Sequence, residues 1–276
     1  MALIDLGTSP NTATGDTLYD AFAAINLIIG NGNGNISTCT AVGSTVLGLN
    51  TGNDNTGIGN FALSSNTSGQ NNAAIGSVSL ISNTTGSNNT GLGFAALYNA
   101  ISLSNNTAVG YNALSSNTLY SNCSGLGADT SITNSNQVQL GDSATTTYVY
   151  GTVQNRSDLR DKAEVRDTVL GLNFINELRP VDYKWDIRED YKTEPLDQIT
   201  NLTHDGTHIR SRFHHGLIAQ EVQDVIEASG VDFGGFQDHS VSGGEDVLSI
   251  GYDELIAPMI KAIQELTARI NVLEGN

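Results

Sequence analysis

At 276 residues, with 30 Gly, 15% charged residues and a net charge of −17, the chain is long enough for two ordinary domains yet unlike one average globular domain. All 12 Lys and Arg lie from Arg156 onward, and residues 1–155 are charged only at Asp5, Asp16, Asp20, Asp54, Asp129 and Asp142. Net charges of −6 before residue 156 and −11 from there on leave no basic surface to neutralise phosphates, which argues against a nucleic-acid partner.

Residues 1–30 read as an attachment segment. Asp16 can cap a helix whose Leu18, Phe22, Ile25 and Ile29 recur at helical spacing, with Gly30 as its stop. One short amphipathic helix cannot bury its stripe alone, so it packs against sister chains, a larger assembly or the end of the following domain. The opening MALIDLGTSP has no charged leader before an apolar core, and no 18 consecutive residues are apolar. The expectation is a protein made in a cytoplasm without membrane insertion. The stretch PNTATGDTLYDAFAAIN resembles the N-termini of some fibre and neck proteins of tailed bacteriophages, which implies attachment to another virion protein.

Residues 31–135 carry a repeat. The segments DNTGIGNFAL, NNAAIGSVSL, NNTGLGFAAL, NNTAVGYNAL and SNCSGLGADT follow at a spacing of 17, with apolar-Gly pairs at Ile58-Gly59, Ile75-Gly76, Leu92-Gly93, Val109-Gly110 and Leu126-Gly127. An earlier copy, Val42-Gly43, stands 16 residues upstream. A period this short and regular predicts a solenoid in which the small residues pack rung on rung. A second apolar residue follows each pair at Leu63, Leu80, Leu97 and Leu114. Asn71, Asn88, Asn105 and Asn122 recur in phase, with Asp54 in the first place, and can form an amide ladder along the turns. Cys39 and Cys123 lie five rungs apart, about 24 Å at the usual strand spacing. That is far beyond the roughly 7 Å a disulfide can bridge, so both read as packed thiols.

These repeats resemble the NTAVGxxAL head repeats of trimeric autotransporter adhesins, which implies a parallel β-roll wound by three chains. The missing leader and anchor point to a viral fibre rather than a surface adhesin. Residues 136–156, NQVQLGDSATTTYVYGTVQ and its flanks, alternate through Val138, Leu140, Tyr148 and Tyr150 and read as a β-rich neck.

From residue 157 to 276 the pattern is α+β. A helical run through Val169, Leu172, Ile175 and Leu178 must stop before Arg179-Pro180, and Val181, Tyr183 and Trp185 then alternate as a strand. A second helix carries Val222, Val225 and Ile226 and ends at Gly230, and a further strand runs through Leu248, Ile250 and Tyr252. The last helix spaces Ile256, Met259, Ile263, Leu266, Ile270 and Leu273 as a and d of a heptad, a coiled-coil seam. Pro258 is tolerated because it lies in the first turn. Ile at a with Leu at d would by itself favour two strands; a trimer is what the resemblances imply.

The motifs SDLRDK, INELRPVDYKW, HHGLIAQEVQ and IGYDELIAPMIKAIQEL, in this order across 157–276, resemble the intramolecular chaperone auto-processing domain of phage tailspikes, the endosialidase type of self-cleaving serine peptidase. The resemblance implies that the domain trimerises, templates the folding of the fibre ahead of it and cuts itself off, with Ser157 and Lys162 as the catalytic pair. A Ser hydroxyl needs a base, and Lys can serve only when burial draws its pKa down from about 10.4. Ser157 would attack the Arg156 carbonyl to give an ester that water resolves; a cut between Ser157 and Asp158 is the other option. Taken alone, SDLRDK also reads as a helix N-cap led by Ser157.

The implied architecture is mainly β: a repetitive parallel β-roll or β-helix solenoid in a homotrimeric fibre, then an α+β chaperone domain ending in a coiled-coil helix. The implied role is a phage tail fibre or appendage, assembled in the host cytoplasm and resident in the virion. Its partners are its own copies, a tail or neck protein at the N-terminus and a host cell-surface receptor. Enzymatic activity amounts at most to single-turnover autoproteolysis. No cofactor is implied, and His204, His208, His214, His215 and His239 carry no Cys partners that would signal a metal. Gln220 and Glu221 read as orienting residues, and Glu245, Asp246, Asp253 and Glu254 as a solvated cluster. The rivals are a polysaccharide depolymerase, for which residues 31–150 offer only Asp54, Asp129 and Asp142, and an uncleaved fibre with the C-terminal domain as host-binding tip.

Overall fold

The computed structural model describes residues 39–275 except 49, 194–196 and 198. The helix expected around Asp16, Leu18, Phe22, Ile25 and Ile29 lies outside the described residues. The chain divides into two compact units between Thr147 and Tyr148.

In the first unit, seven three-residue strands stack in chain order into one parallel sheet: β1 (Thr40–Val42), β2 (Thr56–Ile58), β3 (Ala73–Ile75), β4 (Thr90–Leu92), β5 (Thr107–Val109), β6 (Ser124–Leu126) and β7 (Val138–Leu140). The pairing follows the repeat residue for residue, as in Thr56↔Ala73, Gly57↔Ala74 and Ile58↔Ile75. This is a β-solenoid. Backbone N–H groups reach both neighbours: Gly93 donates back to Ile75 O at 2.8 Å and Leu80 forward to Ala96 O at 3.0 Å.

Strand alternation decides the interior. In a three-residue strand the middle side chain points one way and its neighbours the other. Ala41, Ala74 and Ala108 are therefore wholly buried, while Val42, Ile58, Ile75, Leu92, Leu126 and Leu140 are 37–47% exposed. The apolar residue before each Gly does stack rung on rung, but on the outer surface. The interior apolar row is Leu63, Leu80, Leu97 and Leu114, each 0% exposed with φ between 49 and 53°. A left-handed backbone costs a non-Gly residue about 1–2 kcal/mol. Burying a leucine contributes about 1.5–3 kcal/mol, so burial wins at each of these corners.

Asparagine forms two kinds of ladder. Outside, Asn71 donates to Asn88 and Asn88 to Asn105, each at 3.2 Å, and Asn122 to Asn136 at 2.7 Å. Their left-handed φ values of 56–67° suit Asn at the corner. Inside, Asn55, Asn72, Asn89 and Asn106 are 0–1% exposed. Asn72 Nδ2 donates to Asn55 Oδ1 at 3.1 Å and Gly86 O at 2.8 Å, while Asn72 Oδ1 accepts from the Asn89 N–H at 3.0 Å. A further inner row runs Asn50, Asn66, Asn83, where Asn83 Nδ2 donates to Asn66 Oδ1 at 2.7 Å. It is broken at Ala100, where Asn83 Oδ1 is left without a donor, and the buried Asn117 stands one rung further on. Both cysteines are free; burial pushes the Cys123 thiol up in pKa.

The alternation expected through Val138, Leu140, Tyr148 and Tyr150 is a strand only at β7, which pairs with β6 as the last rung. Residues 148–156 form no helix or strand.

The second unit contains α1 (Leu172–Glu177), β8 (Val181–Tyr183), β9 (His214–Gly216), α2 (Ala219–Ser229), β10 (Phe236–Asp238), β11 (Leu248–Ile250) and α3 (Ile256–Glu274). β8 pairs antiparallel with β9, and β10 with β11. Phe174, Val222, Phe233 and Leu255 form its core, with the Phe174 and Phe233 rings 5.4 Å apart. Gly230, at φ 65°, ends α2. Among the described residues, no helix is long and apolar enough to cross a membrane.

Helix α3 packs on α1 through one face. Pro258 and Ala262 are buried, and Glu265 Oε2, a turn further on, accepts the Leu172 N–H at 2.9 Å and so caps α1. Positions 258, 262 and 265 share a face at helical spacing. The heptad residues Ile256, Met259, Ile263, Leu266, Ile270 and Leu273 lie off that face and are 43–86% exposed.

Candidate active site

Ser157 and Lys162 are five residues apart and are joined by one short turn. A 3₁₀ turn at Leu159–Asp161 is capped by Asp158, whose carboxylate accepts the Arg160 N–H at 2.9 Å. The Arg160 guanidinium closes on the same carboxylate, with Nη2 at 2.6 Å, and holds the Asp158 carboxyl below its ordinary pKa. Lys162 N–H then donates to Leu159 O at 3.2 Å, which brings the Lys side chain back over the start of the turn. Its Nζ donates to Ser157 Oγ at 2.7 Å.

Asp158, not Ser157, is therefore the cap. That leaves the Ser hydroxyl free for Lys162, within the 2.6–3.2 Å reach that proton transfer requires. Both side chains are exposed in the single chain. Two further contacts hold the segment just ahead of Ser157. Arg156 Nε pairs with Asp161 Oδ2 at 2.9 Å, and Asn155 Nδ2 donates to Asp253 Oδ2 at 2.6 Å. Sequence reasoning passed over both. Asp161 lies within SDLRDK and was open to view, whereas Asp253 is 98 residues from Asn155 and carries no local signal.

The other singled-out residues are dispersed. Glu221, in the first turn of α2, pairs with Arg179, whose guanidinium lowers the Glu221 pKa; Nε to Oε2 is 3.0 Å. His204 meets Asp186 at 3.0 Å, His215 meets Asp182 at 2.6 Å, and buried His239 faces Ser249 Oγ at 3.2 Å. Burial lowers the His239 pKa. Among the described residues, no three His, Cys, Asp or Glu side chains gather to hold a metal. The acidic group is not one cluster. Glu245 accepts the Ile199 N–H at 3.0 Å, Arg188 donates to the Asp246 carbonyl at 2.6 Å, and Asp253 holds Asn155.

Residues 157–231 match the family model described as chaperone of endosialidase. The match begins at Ser157, the residue whose hydroxyl Lys162 contacts. No curated protein matches the chain. The family match therefore covers the Ser-Lys turn of the second unit and both of its α-helices before α3.

Proposed function

We propose that the protein is a homotrimeric tail fibre or appendage of a tailed bacteriophage, whose C-terminal unit guides trimer folding and then cuts the chain between Arg156 and Ser157. The observation that carries this reading is the 2.7 Å contact between Lys162 Nζ and Ser157 Oγ at the first residue of the chaperone-family match. Two apolar rows left open by the single chain support assembly. One is the α3 seam; the other is the outer solenoid row from Val42 to Leu140. The N-terminal segment attaches to another virion protein, and the fibre meets a receptor on the host surface.

In the cut, neutral Lys162 takes the Ser157 Oγ proton as Oγ adds to the Arg156 carbonyl carbon. The Arg156 C–N bond then breaks, and the proton passes to the departing Ser157 amine, leaving an Arg156 ester on Oγ. Water hydrolyses the ester to an Arg156 carboxylate and restores the hydroxyl. Lysine accepts a proton only in its neutral form, which removal from water favours. The exposed dyad of one chain thus becomes competent when assembly covers it, and the cut follows folding.

Asp54 and Asp129 do not make a polysaccharide-cleaving pair in the solenoid. Asp54 precedes β2 and Asp129 follows β6. Four rungs separate them by roughly 19 Å. Paired glycosidase carboxylates stand about 5–9.5 Å apart.

Denaturing electrophoresis and intact-mass measurement of wild type and Ser157→Ala test the proposal. Wild type yields fragments of 156 and 120 residues, and Ser157→Ala stays whole. A full-length wild-type chain after the trimer has formed removes the cut.

A further inference from the structure

The segment entering the cut site has little to hold it. Residues 148–156 form no helix or strand, and Val149, Tyr150 and Val153 are at least 59% exposed. Nucleophilic attack, in contrast, demands a fixed line between Ser157 Oγ and the Arg156 carbonyl carbon; a misplacement of about 1 Å can cost roughly a hundredfold in rate. Arg156–Asp161 is a contact within the same turn and moves with it. Asn155–Asp253, in contrast, reaches a distant part of the unit.

Asp253 is well placed to be a fixed point. It sits in the 3₁₀ turn Tyr252–Leu255 that runs directly into α3. The turn is anchored at both ends: Tyr252 Oη accepts the Leu217 N–H at 2.9 Å, and Leu255 is in the core at 8% exposed. The next residue, Ile256, is the first position of the apolar seam. We infer that Asp253 is a positioning residue: it holds Asn155 so that the Arg156 carbonyl faces Ser157, and it ties that alignment to the helix that carries the seam. This role rests on the self-cleavage reading. Asp253 touches none of the reacting atoms and acts through Asn155.

The chemistry of the contact supplies the test. Asn155 donates and Asp253 accepts, so what matters is an oxygen at position 253, not its charge. In full-length trimer, Asp253→Ala is expected to slow formation of the 120-residue fragment roughly tenfold to a hundredfold, with trimer content by light scattering unchanged. Asp253→Asn keeps an acceptor oxygen and restores the rate. Asn155→Asp sets two carboxylates against each other and slows the cut, and combining it with Asp253→Asn restores the bond with donor and acceptor exchanged. An Asp253→Ala trimer that cuts at the wild-type rate overturns the inference, as does a slow variant that the exchanged pair fails to rescue.

A second measurement does not depend on self-cleavage. In the Ser157→Ala background, trypsin nicking after Arg156, timed by mass, is expected to quicken severalfold when Asp253→Ala is added. Unchanged nicking overturns the tether itself. A wild-type chain that stays whole while nicking responds overturns the self-cleavage reading, and with it the role in the cut, but not the tether.

Discussion

The two units solve the problem of a small core in opposite ways. In the solenoid a buried amide meets its counterpart one rung away, so asparagine can replace hydrocarbon: Asn55, Asn72 and Asn89 are as buried as Leu63, Leu80 and Leu97. In the C-terminal unit a single cluster around Phe174, Val222, Phe233 and Leu255 does the work, and the long helix α3 contributes little of its apolar surface to it. Repetition satisfies polar groups without long-range contacts. The C-terminal unit depends on them, and it leaves its heptad row exposed.

The largest expected effect tests that last contrast. Leu266→Asp together with Ile263→Asp places charges in the proposed seam, where desolvating them is prohibitive, yet both positions are 43% or more exposed in the single chain. Trimer is expected to disappear from light scattering, and the 120-residue fragment with it, while the circular dichroism of the C-terminal unit is kept. A trimer that survives both charges would place the chain contacts elsewhere.

Gly93→Ala sharpens the other side of the comparison. Gly93 has φ 137°, and an added Cβ would lie 2.2 Å from the Gly110 carbonyl oxygen of the next rung. Backbone strain and overpacking each cost about 1–3 kcal/mol, so a loss of roughly 3–5 kcal/mol in solenoid stability is expected by denaturant unfolding. The same substitution at Gly230 meets no atom within 4 Å and is confined to a helix end at φ 65°. There the cost is about 1 kcal/mol. Equal losses at the two glycines would refute the close-stacking account.

These contrasts also mark what could be read from the residues alone. The 17-residue period announced the solenoid because identical rungs meet identical neighbours, so phase in sequence becomes register in space. The side of the sheet was harder to read. The repeat does not say which face of a rung points inward; a three-residue strand turns only its middle side chain inward, and that residue is an inconspicuous Ala or Gly. The Asn-Asn pairs show the same effect. Asn71, Asn88 and Asn105 were singled out as a ladder, and they form one on the surface; their immediate successors Asn72, Asn89 and Asn106 are the buried members. In the C-terminal unit, Ser157 and Lys162 were singled out by the family resemblance of the four ordered motifs, since SDLRDK alone reads equally as a helix cap. Asn155 and Asp253 meet only after the rest of that unit has folded.

The smallest expected effect separates inner from outer asparagine within one pair. Asn89 Oδ1 accepts the Asn106 N–H at 3.0 Å, and its Nδ2 donates to Leu103 O at 2.7 Å and Asn72 Oδ1 at 3.1 Å. Asn89→Ala strips partners from a buried backbone donor and a buried acceptor, each costing about 1–3 kcal/mol, so roughly 2–4 kcal/mol is expected. Asn88, next to it, loses only exposed amide bonds, one donated to Asn105 and one accepted from Asn71, where water replaces the partners. Its remaining penalty is the left-handed backbone at φ 60°, about 1 kcal/mol for alanine. Asn88→Gly removes that penalty and should approach wild-type stability, whereas Asn89→Gly cannot recover the lost bonds. If urea midpoints for Asn88→Ala and Asn89→Ala coincide, the buried ladder contributes no more than the exposed one, and the solenoid is held by its leucines and backbone alone.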